Sequence, residues 1–217
     1  LNRNRAFGFR LAHADFNSFD RFAAAGTVGG HYFHQDIWAA RRVFTRGTTR
    51  HVDVGSRLDG FVAHILPFCQ VEFVDLRPLA TLGIDGLVVR TGSILALPYP
   101  DAQVDSLSCL HVIEHIGLGR YGDPIAPDGH LKAARELARV LKPGGVLLLG
   151  TPVGRERLCF DAHRVFAPET VLGLFGDLKL KAFWLIDDTG MAPTLEPDFE
   201  RARHCNYGCG LFEFTKQ

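Results

Sequence analysis

The sequence carries no surplus of either charge: Lys plus Arg and Asp plus Glu each total 24. A protein drawn to nucleic acid or to an anionic membrane by electrostatics would show a basic excess, so neither partner is expected. No apolar run approaches the roughly 20 residues that a helix needs to cross a bilayer. No basic-then-apolar leader pattern marks the first residues. Cysteine is sparse and odd in number, with five residues at Cys69, Cys109, Cys159, Cys205 and Cys209. That count disfavours a disulfide framework and predicts reduced thiols in a cytoplasmic setting. An internal repeat, a low-complexity tract and a complete G-x-G-x-x-G fingerprint are also absent. A chain of 217 residues, 47% of them hydrophobic, is expected to form one domain.

What is present centres on His51 to Gly60, HVDVGSRLDG. Val52-Asp53-Val54 is a short apolar run interrupted by one acid, Gly55 follows at once, and an apolar helix starts near residue 59 and is limited by Pro67. This reads as strand, tight turn and helix start, where an α/β sheet accepts a ligand on unpaired backbone N–H groups. Val71-Glu-Phe-Val-Asp75 reads as a second strand ending in an acid, about 20 residues beyond the turn, the spacing at which a carboxylate grips a ribose diol. The same acid could instead cap a turn.

The rest of the chain alternates strand and helix. Residues 87–89 and Val104–Leu110 read as strands. His130–Leu141 reads as an amphipathic helix with Leu131, Ala134, Leu137, Ala138 and Leu141 on one stripe. Lys142-Pro-Gly-Gly145 stops it, and Val146–Thr151 is an all-apolar strand of the kind buried on both faces. Pro168–Phe175 reads as a short helix, and Leu178–Asp187 and Gly208–Phe214 as the last strands, separated by a long loop. Residues 1–45 are expected to form a helical N-terminal cap or lid, with helices at about Asn17–Ala25 and Ile37–Phe44, on a core of residues 46–217. Phe7, Phe9, Phe16, Phe19 and Phe22 are expected to pack, with a homodimer contact as the other use for them. Tyr32, His34, Gln35 and Asp36 precede the core and could close over a ligand.

Taken together, VDVGSRLDG, VEFVDLRP, SILALPYPDAQVDSLSCLHVIEHIG and ELARVLKPGGVLLLGTP resemble the motif series of class I S-adenosylmethionine-dependent methyltransferases over about Val52–Pro152. The chain is similar in particular to an uncharacterised branch of these enzymes, first catalogued as a nematode domain of unknown function and also found in bacteria. The resemblance implies a Rossmann-like, doubly wound, seven-stranded, mostly parallel sheet with an antiparallel last strand, and S-adenosyl-L-methionine as cofactor. It implies that Asp53, Gly55 and Ser56 shape the methionine end of the cofactor site, that Asp75 holds the ribose with Leu76 against adenine, that Ser93 and Ile94 edge the adenine, and that Leu110 and His111 face the cofactor or acceptor. The sequence departs from the family at the turn, where Arg57 and Asp59 replace glycines and Gly60 comes one place late, and at Ser93, where an acid is usual.

Methyl transfer to a hydroxyl or ammonium needs a base, and His suits neutral pH. His163 and His111 are the catalytic candidates, ahead of Glu114 and His115, which more often pack or cap. The acceptor is expected to be a small molecule or saccharide, on analogy alone. No metal is expected. His204-Cys205 and Cys209, with Cys159 and His163, offer soft ligands, but the cysteine spacing is not that of a zinc knuckle. The alternatives are a catalytically silent methyltransferase-like scaffold, motivated by the altered turn, and a nicotinamide-dependent oxidoreductase, which the KPGG block opposes.

Overall fold

A computed structural model describes residues 22, 24, 26, 28–77, 83–159, 162–196 and 198–217. Most of the expected helix at about Asn17–Ala25, and Phe7, Phe9, Phe16 and Phe19, lie outside the described residues. Phe22 is described and exposed. In order the elements are α1 (Gly30–Thr45), β1 (Arg50–Val54), a π turn (Leu58–Val62) running into α2 (Ala63–Ile65), β2 (Gln70–Asp75), β3 (Leu87–Thr91), β4 (Val104–Leu110), a 3-10 turn (Ile113–His115), α3 (Gly129–Val140) and β5 (Leu141–Val153). There follow β6 (Arg157–Cys159), β7 (His163–Val165), α4 (Pro168–Leu174), β8 (Leu178–Ile186), β9 (Thr194–Glu196), α5 (Glu200–His204) and β10 (Gly208–Lys216).

The main sheet has eight strands in the order β3-β2-β1-β4-β5-β10-β8-β9. Strands β1 to β5 pair in parallel, and β10 inserts antiparallel between β5 and β8. The doubly wound, mostly parallel sheet with an antiparallel last strand is as expected. The eighth strand is an addition: β9 pairs with β8 across Phe183–Leu185 inside what reads as loop in the sequence. It is only three residues long and mostly exposed, so it lacks the apolar run that marks a buried strand.

Both faces of the sheet are covered. Leu147 and Leu149 of β5 enter the apolar cluster shared with Leu137 of α3 and Phe175, while Val146 and Leu148 enter the one shared with Trp38 and Val43 of α1. This alternation on a single all-apolar strand is what a two-sided sheet requires. The stripe on α3 is rotated from the expected one: Ala133, Ala134, Leu137, Ala138 and Val140 are buried, and Leu131 is 40% exposed. Helix α1 begins at Gly30, not near Ile37, and its buried face includes Gln35 and Asp36 beside Trp38, Ala39 and Val43, while Phe44 is exposed against Phe68.

Between β1 and β4 runs a buried polar chain. His51 Nδ1 lies 2.7 Å from Ser106 Oγ and Nε2 lies 2.8 Å from Ser108 Oγ, and the Ser108 hydroxyl donates to Asp53 Oδ1. Because Ser108 spends its proton on Asp53, its oxygen accepts from His51 Nε2–H, and His51 Nδ1 accepts from Ser106. That is a neutral imidazole, in accord with burial pulling His51 down to about 3. Burial pushes Asp53 the other way, up to about 6, against hydrogen bonds from Ser108 and Ser56. As pH falls below the ordinary histidine value, the unfolded state takes a proton that folded His51 refuses, so stability is lost. As pH falls through the folded value of Asp53, the folded state takes the extra proton, so stability is gained. Between pH 7 and pH 5 the first effect costs about 2 kcal/mol and the second returns about 1 kcal/mol. His51→Gln removes only the first. Urea titrations at the two pH values should therefore give a pH-dependent change in stability that differs between wild type and variant by about 2 kcal/mol. Parallel changes would show that folded His51 takes up its proton as readily as the unfolded chain does.

Candidate functional site

At the carboxyl ends of β1, β2 and β4 lies a cavity of about 610 Å³. Its walls include Gly55, Ser56, Asp75, Leu76, Ser93, Ile94, Leu110 and His111, so eight of the residues singled out in the sequence meet in one place. The topology brings them together: β1 is flanked by β2 and β4, and their ends face a common crevice. Two expected site residues are not on this wall. Asp53 is fully buried beneath the turn, where its carboxylate accepts from Ser56 N–H at 3.1 Å and Ser56 Oγ–H at 2.6 Å. It ties the turn down instead of reaching into the cavity. His163 opens β7 in the two-stranded β6–β7 ribbon, its ring against Tyr207 at 5.1 Å and His115 at 6.3 Å.

The altered glycine turn has a local cause. Backbone N–H of Gly55, at φ 73°, donates to Val74 O at 2.9 Å, closing the turn onto β2. Arg57 and Asp59 pair with each other at 2.8 Å, and the Arg57 guanidinium lies 5.4 Å from the Tyr32 ring. At Gly60 a side chain would collide with the Asp36 carboxylate of α1. The late glycine is thus where α1 comes down on the turn. A Cβ at residue 60, unlike one at 57 or 59, would require the buried Asp36 carboxylate to shift.

Asp75, at the end of β2, is nearly buried and its carboxylate is already engaged. Arg77 Nε donates to Oδ1 at 2.8 Å, Arg77 Nη2 to Oδ2 at 2.7 Å, and the Arg77 backbone N–H to Oδ1 at 2.8 Å. Burial pushes this carboxyl up, but the Arg77 hydrogen bonds outweigh it and hold it below the usual range. Arg77 in turn lies 4.8 Å from the Tyr121 ring, so Tyr121 and Arg77 form an outer wall that the sequence reading missed. Ser93 Oγ accepts from Leu95 N–H at 3.1 Å, which shapes the turn after β3.

His111 stands at the end of β4 with φ 55°, a backbone conformation uncommon outside glycine. Its Nδ1 lies 2.8 Å from Oε1 of Glu114, which has no exposed surface. Glu114 also accepts from Thr151 Oγ1 at 3.4 Å. Burial lowers the His111 value, but Cys209 and Glu114 raise it and prevail. Burial raises Glu114, and the His111 imidazolium outweighs that and lowers it. Nε2 of His111 is buried and makes no hydrogen bond. Around it stand His31, stacked at 5.3 Å, and Tyr32, tilted at 4.9 Å, both from the first turn of α1. Burial and His111 bring His31 down to about 4.

A second groove of about 620 Å³ opens on the far side of His111, lined by His31, Tyr32, Asp187, Asp188, Asn206 and Tyr207 among others. The Asp188 carboxylate accepts from the backbone N–H groups of Asn206 and Tyr207 at 2.7 Å each, which fixes the edge of this groove. Tyr32 and His111 are common to both spaces. Nothing in the sequence marks Tyr207 and His31 as neighbours: the start of α1 and the start of β10 meet only through tertiary packing, with β10 lying beside β5. Among the described residues no helix is long and apolar enough to cross a membrane. All five cysteines are free thiols.

Known proteins agree with this architecture. A family profile described as "Caenorhabditis protein of unknown function, DUF268" matches residues 99–182. A protein of Mycolicibacterium smegmatis, described as a probable S-adenosylmethionine-dependent methyltransferase, is 32% identical over 125 residues. That match takes in 58% of this chain and 40% of the relative, so the chain spans well under half of the relative's length. Among solved structures, the N-methyltransferase NodS of Bradyrhizobium japonicum, in complex with S-adenosyl-L-homocysteine, superposes with a TM-score of 0.61 at 16% identity, covering 86% of this chain and 88% of that one. The cyclase SpnF superposes equally well, with a TM-score of 0.61 at 15% identity over 83% of this chain and 80% of its own. The parallel sheet with its inserted antiparallel β10, and the crevice at its carboxyl edge, give this chain the fold of the class I S-adenosylmethionine-dependent methyltransferases.

Proposed function

We propose that this chain is an S-adenosylmethionine-dependent methyltransferase acting on a small polar molecule or a saccharide. One observation carries the reading: the crevice that fits the cofactor and the polar groove beyond it share His111 and Tyr32 as a common wall. A transfer reaction needs two sites that meet at one point, and reacting groups held there gain the advantage of proximity. The cofactor fits on the chemistry of the donor set: a carboxylate at the end of β2, backbone at the Gly55 turn, and apolar Leu76 and Ile94 for a planar base. When bound, S-adenosylmethionine supplies a sulfonium methyl group that passes in line to an acceptor lone pair, the electron pair of the broken bond staying on sulfur.

Asp75 would hold the ribose hydroxyls, and Arg77 would have to yield at least one carboxylate oxygen to them. Ser56 and Gly55 would line the methionine end, with Asp53 bracing the turn from below. His111, oriented by Glu114, would bear on the acceptor atom and favour loss of its proton. His163, on the rim with Tyr207, would contact the acceptor. The start of α1 would cap the site through His31 and Tyr32, as the N-terminal segment is expected to do. The groove's polar edge suits a sugar or a compact polar ring.

Calorimetric titration with S-adenosylmethionine and S-adenosylhomocysteine, with NAD as control, tests the reading. Micromolar binding of the first two alone is expected, and Asp75→Asn should weaken it by about 100-fold, the loss of two charge-assisted hydrogen bonds. Binding unchanged by Asp75→Asn would place the ribose elsewhere. A second reading, a methyltransferase-like binding protein without turnover, is favoured by the Arg77 clasp on both oxygens of Asp75. If that clasp excludes the cofactor, wild type binds neither compound while Arg77→Ala does.

A further inference from the structure

We propose that His31, His111 and Cys209 form a site for a single divalent ion of zinc's type, placed where the two cavities meet. One ring nitrogen from each histidine and the Cys209 sulfur lie within 4.8 Å of one another. Two of the three residues are buried, and His31 is partly so. The set comes from three separate elements, the start of α1, the end of β4 and the start of β10, and so is assembled by the fold alone.

Two features of His111 point to a ligand for this set. His111 Nε2 is a buried nitrogen with no hydrogen-bond partner, an arrangement that is costly unless something else occupies it. Its other nitrogen is held by the buried Glu114 carboxylate at 2.8 Å, the outer support that metal-ligating histidines have and that fixes which nitrogen is presented. The His31 ring stacks on His111 at 5.3 Å and on Tyr207 at 5.1 Å. A thiolate with two imidazoles is a borderline-soft set that suits zinc and ill suits magnesium or calcium.

Three protein ligands leave a fourth position open, as in catalytic and not structural zinc sites. His31 and His111 both line the groove that holds Tyr207 and Asn206, from which an acceptor would reach that position. The inference deepens the methyltransferase reading and rests on it for its role: the ion would take the acceptor's heteroatom and lower its proton affinity. The acceptor's proton would pass to water in the groove, its lone pair would form the bond to the methyl carbon, and the ion would return to the open state unchanged in charge. His111 would then act on the acceptor through the ion. The cysteine-rich stretch noted in the sequence contributes Cys209 alone. Cys205 Sγ faces Arg201 O at 3.5 Å and His204 pairs with Glu200 at 3.1 Å.

The test uses the full chain loaded with Zn²⁺ and, separately, with Co²⁺, followed by desalting, metal analysis and absorption spectroscopy. One ion per chain is expected, with a thiolate-to-cobalt charge-transfer band. Cys209→Ser should abolish the band, and His31→Ala, at the less buried position, should lower retained metal at least about tenfold. Cys159→Ser should change neither. Wild type that retains no more metal than His31→Ala, or a charge-transfer band that survives Cys209→Ser and disappears in Cys159→Ser, would overturn the site. Should Cys209→Ser fail to fold, His31→Ala decides alone. Titration of S-adenosylhomocysteine into metal-stripped protein separates the two readings: binding without metal retention overturns only the ion, and metal retention without binding overturns only the cofactor.

Discussion

Glu114→Gln is expected to lower kcat by about 100-fold while leaving the affinity for S-adenosylhomocysteine within about twofold. Glu114 touches neither proposed ligand. It has no exposed surface, and its work is to hold His111 Nδ1 at 2.8 Å and so direct the unpartnered Nε2 toward the junction of the two cavities. Gln keeps the shape but can present the wrong group to the ring and no longer supports a positive imidazole. The loss should therefore fall on turnover and shift the pH profile, because the variant's His111 has lost the carboxylate that, with Cys209, raises it. Cofactor binding on the Asp75 side should not respond. An equal loss in affinity would mean that Glu114 only maintains the local fold.

Glu114→Ala separates the structural share of this role. Removing one member of a buried pair leaves the other without compensation, which costs about 3–5 kcal/mol. At roughly 2–4 °C per kcal/mol for a chain of this size, its Tm should fall by about 10 °C. The Gln variant should lose much less. Tm values close to wild type for both variants would show that the His111–Glu114 pair contributes little to stability.

The second large effect is expected at Gly117, and it falls on stability and binding together. Gly117 has φ 82°, and a Cβ there would overlap the Ala126 carbonyl oxygen. Its backbone N–H donates to Asp123, and Ala126 N–H donates back to Gly117 O at 3.0 Å. Ala at this position meets both an unfavourable backbone conformation and a collision with main chain that has no flexible end to yield. About 3 kcal/mol or more should be lost. Gly144 supplies the comparison: it has φ 76° with nothing within 4 Å of a built Cβ, so Ala there meets the backbone term alone, about 1 kcal/mol. Thermal unfolding of the two variants measures the difference. Because Ile116, Arg120, Tyr121 and Asp123 lie on the cavity wall, Gly117→Ala should also weaken cofactor binding, and Gly144→Ala should not. Equal Tm losses would mean that the 117–126 loop relaxes around the new methyl group.

By itself the sequence determined the local pieces and their order. The all-apolar run at Val146–Thr151, the Lys142–Gly145 stop and the acid closing Val71–Asp75 each act over a few residues, so strand, turn and helix were legible wherever short-range patterning decides. The parallel sheet followed from alternation, and eight of the expected site residues came to one crevice because consecutive strand ends share an edge. Where the pattern is weak, as at β9 or the π turn at Leu58–Val62, the strand and the kink were not legible. Asp53 had the residue type and position of a ligand-binding acid, and only the tertiary structure showed its carboxylate spent on Ser56 and Ser108. His163 stood in the right stretch of sequence, but pairing with Cys159 across the β6–β7 ribbon carried it to the rim. The meeting of His31, His111, Cys209 and Tyr207 depends on α1 docking against the sheet and β10 inserting beside β5, contacts between residues as much as 178 positions apart by their numbering. No local propensity encodes such contacts, because burial and close packing of whole elements decide them.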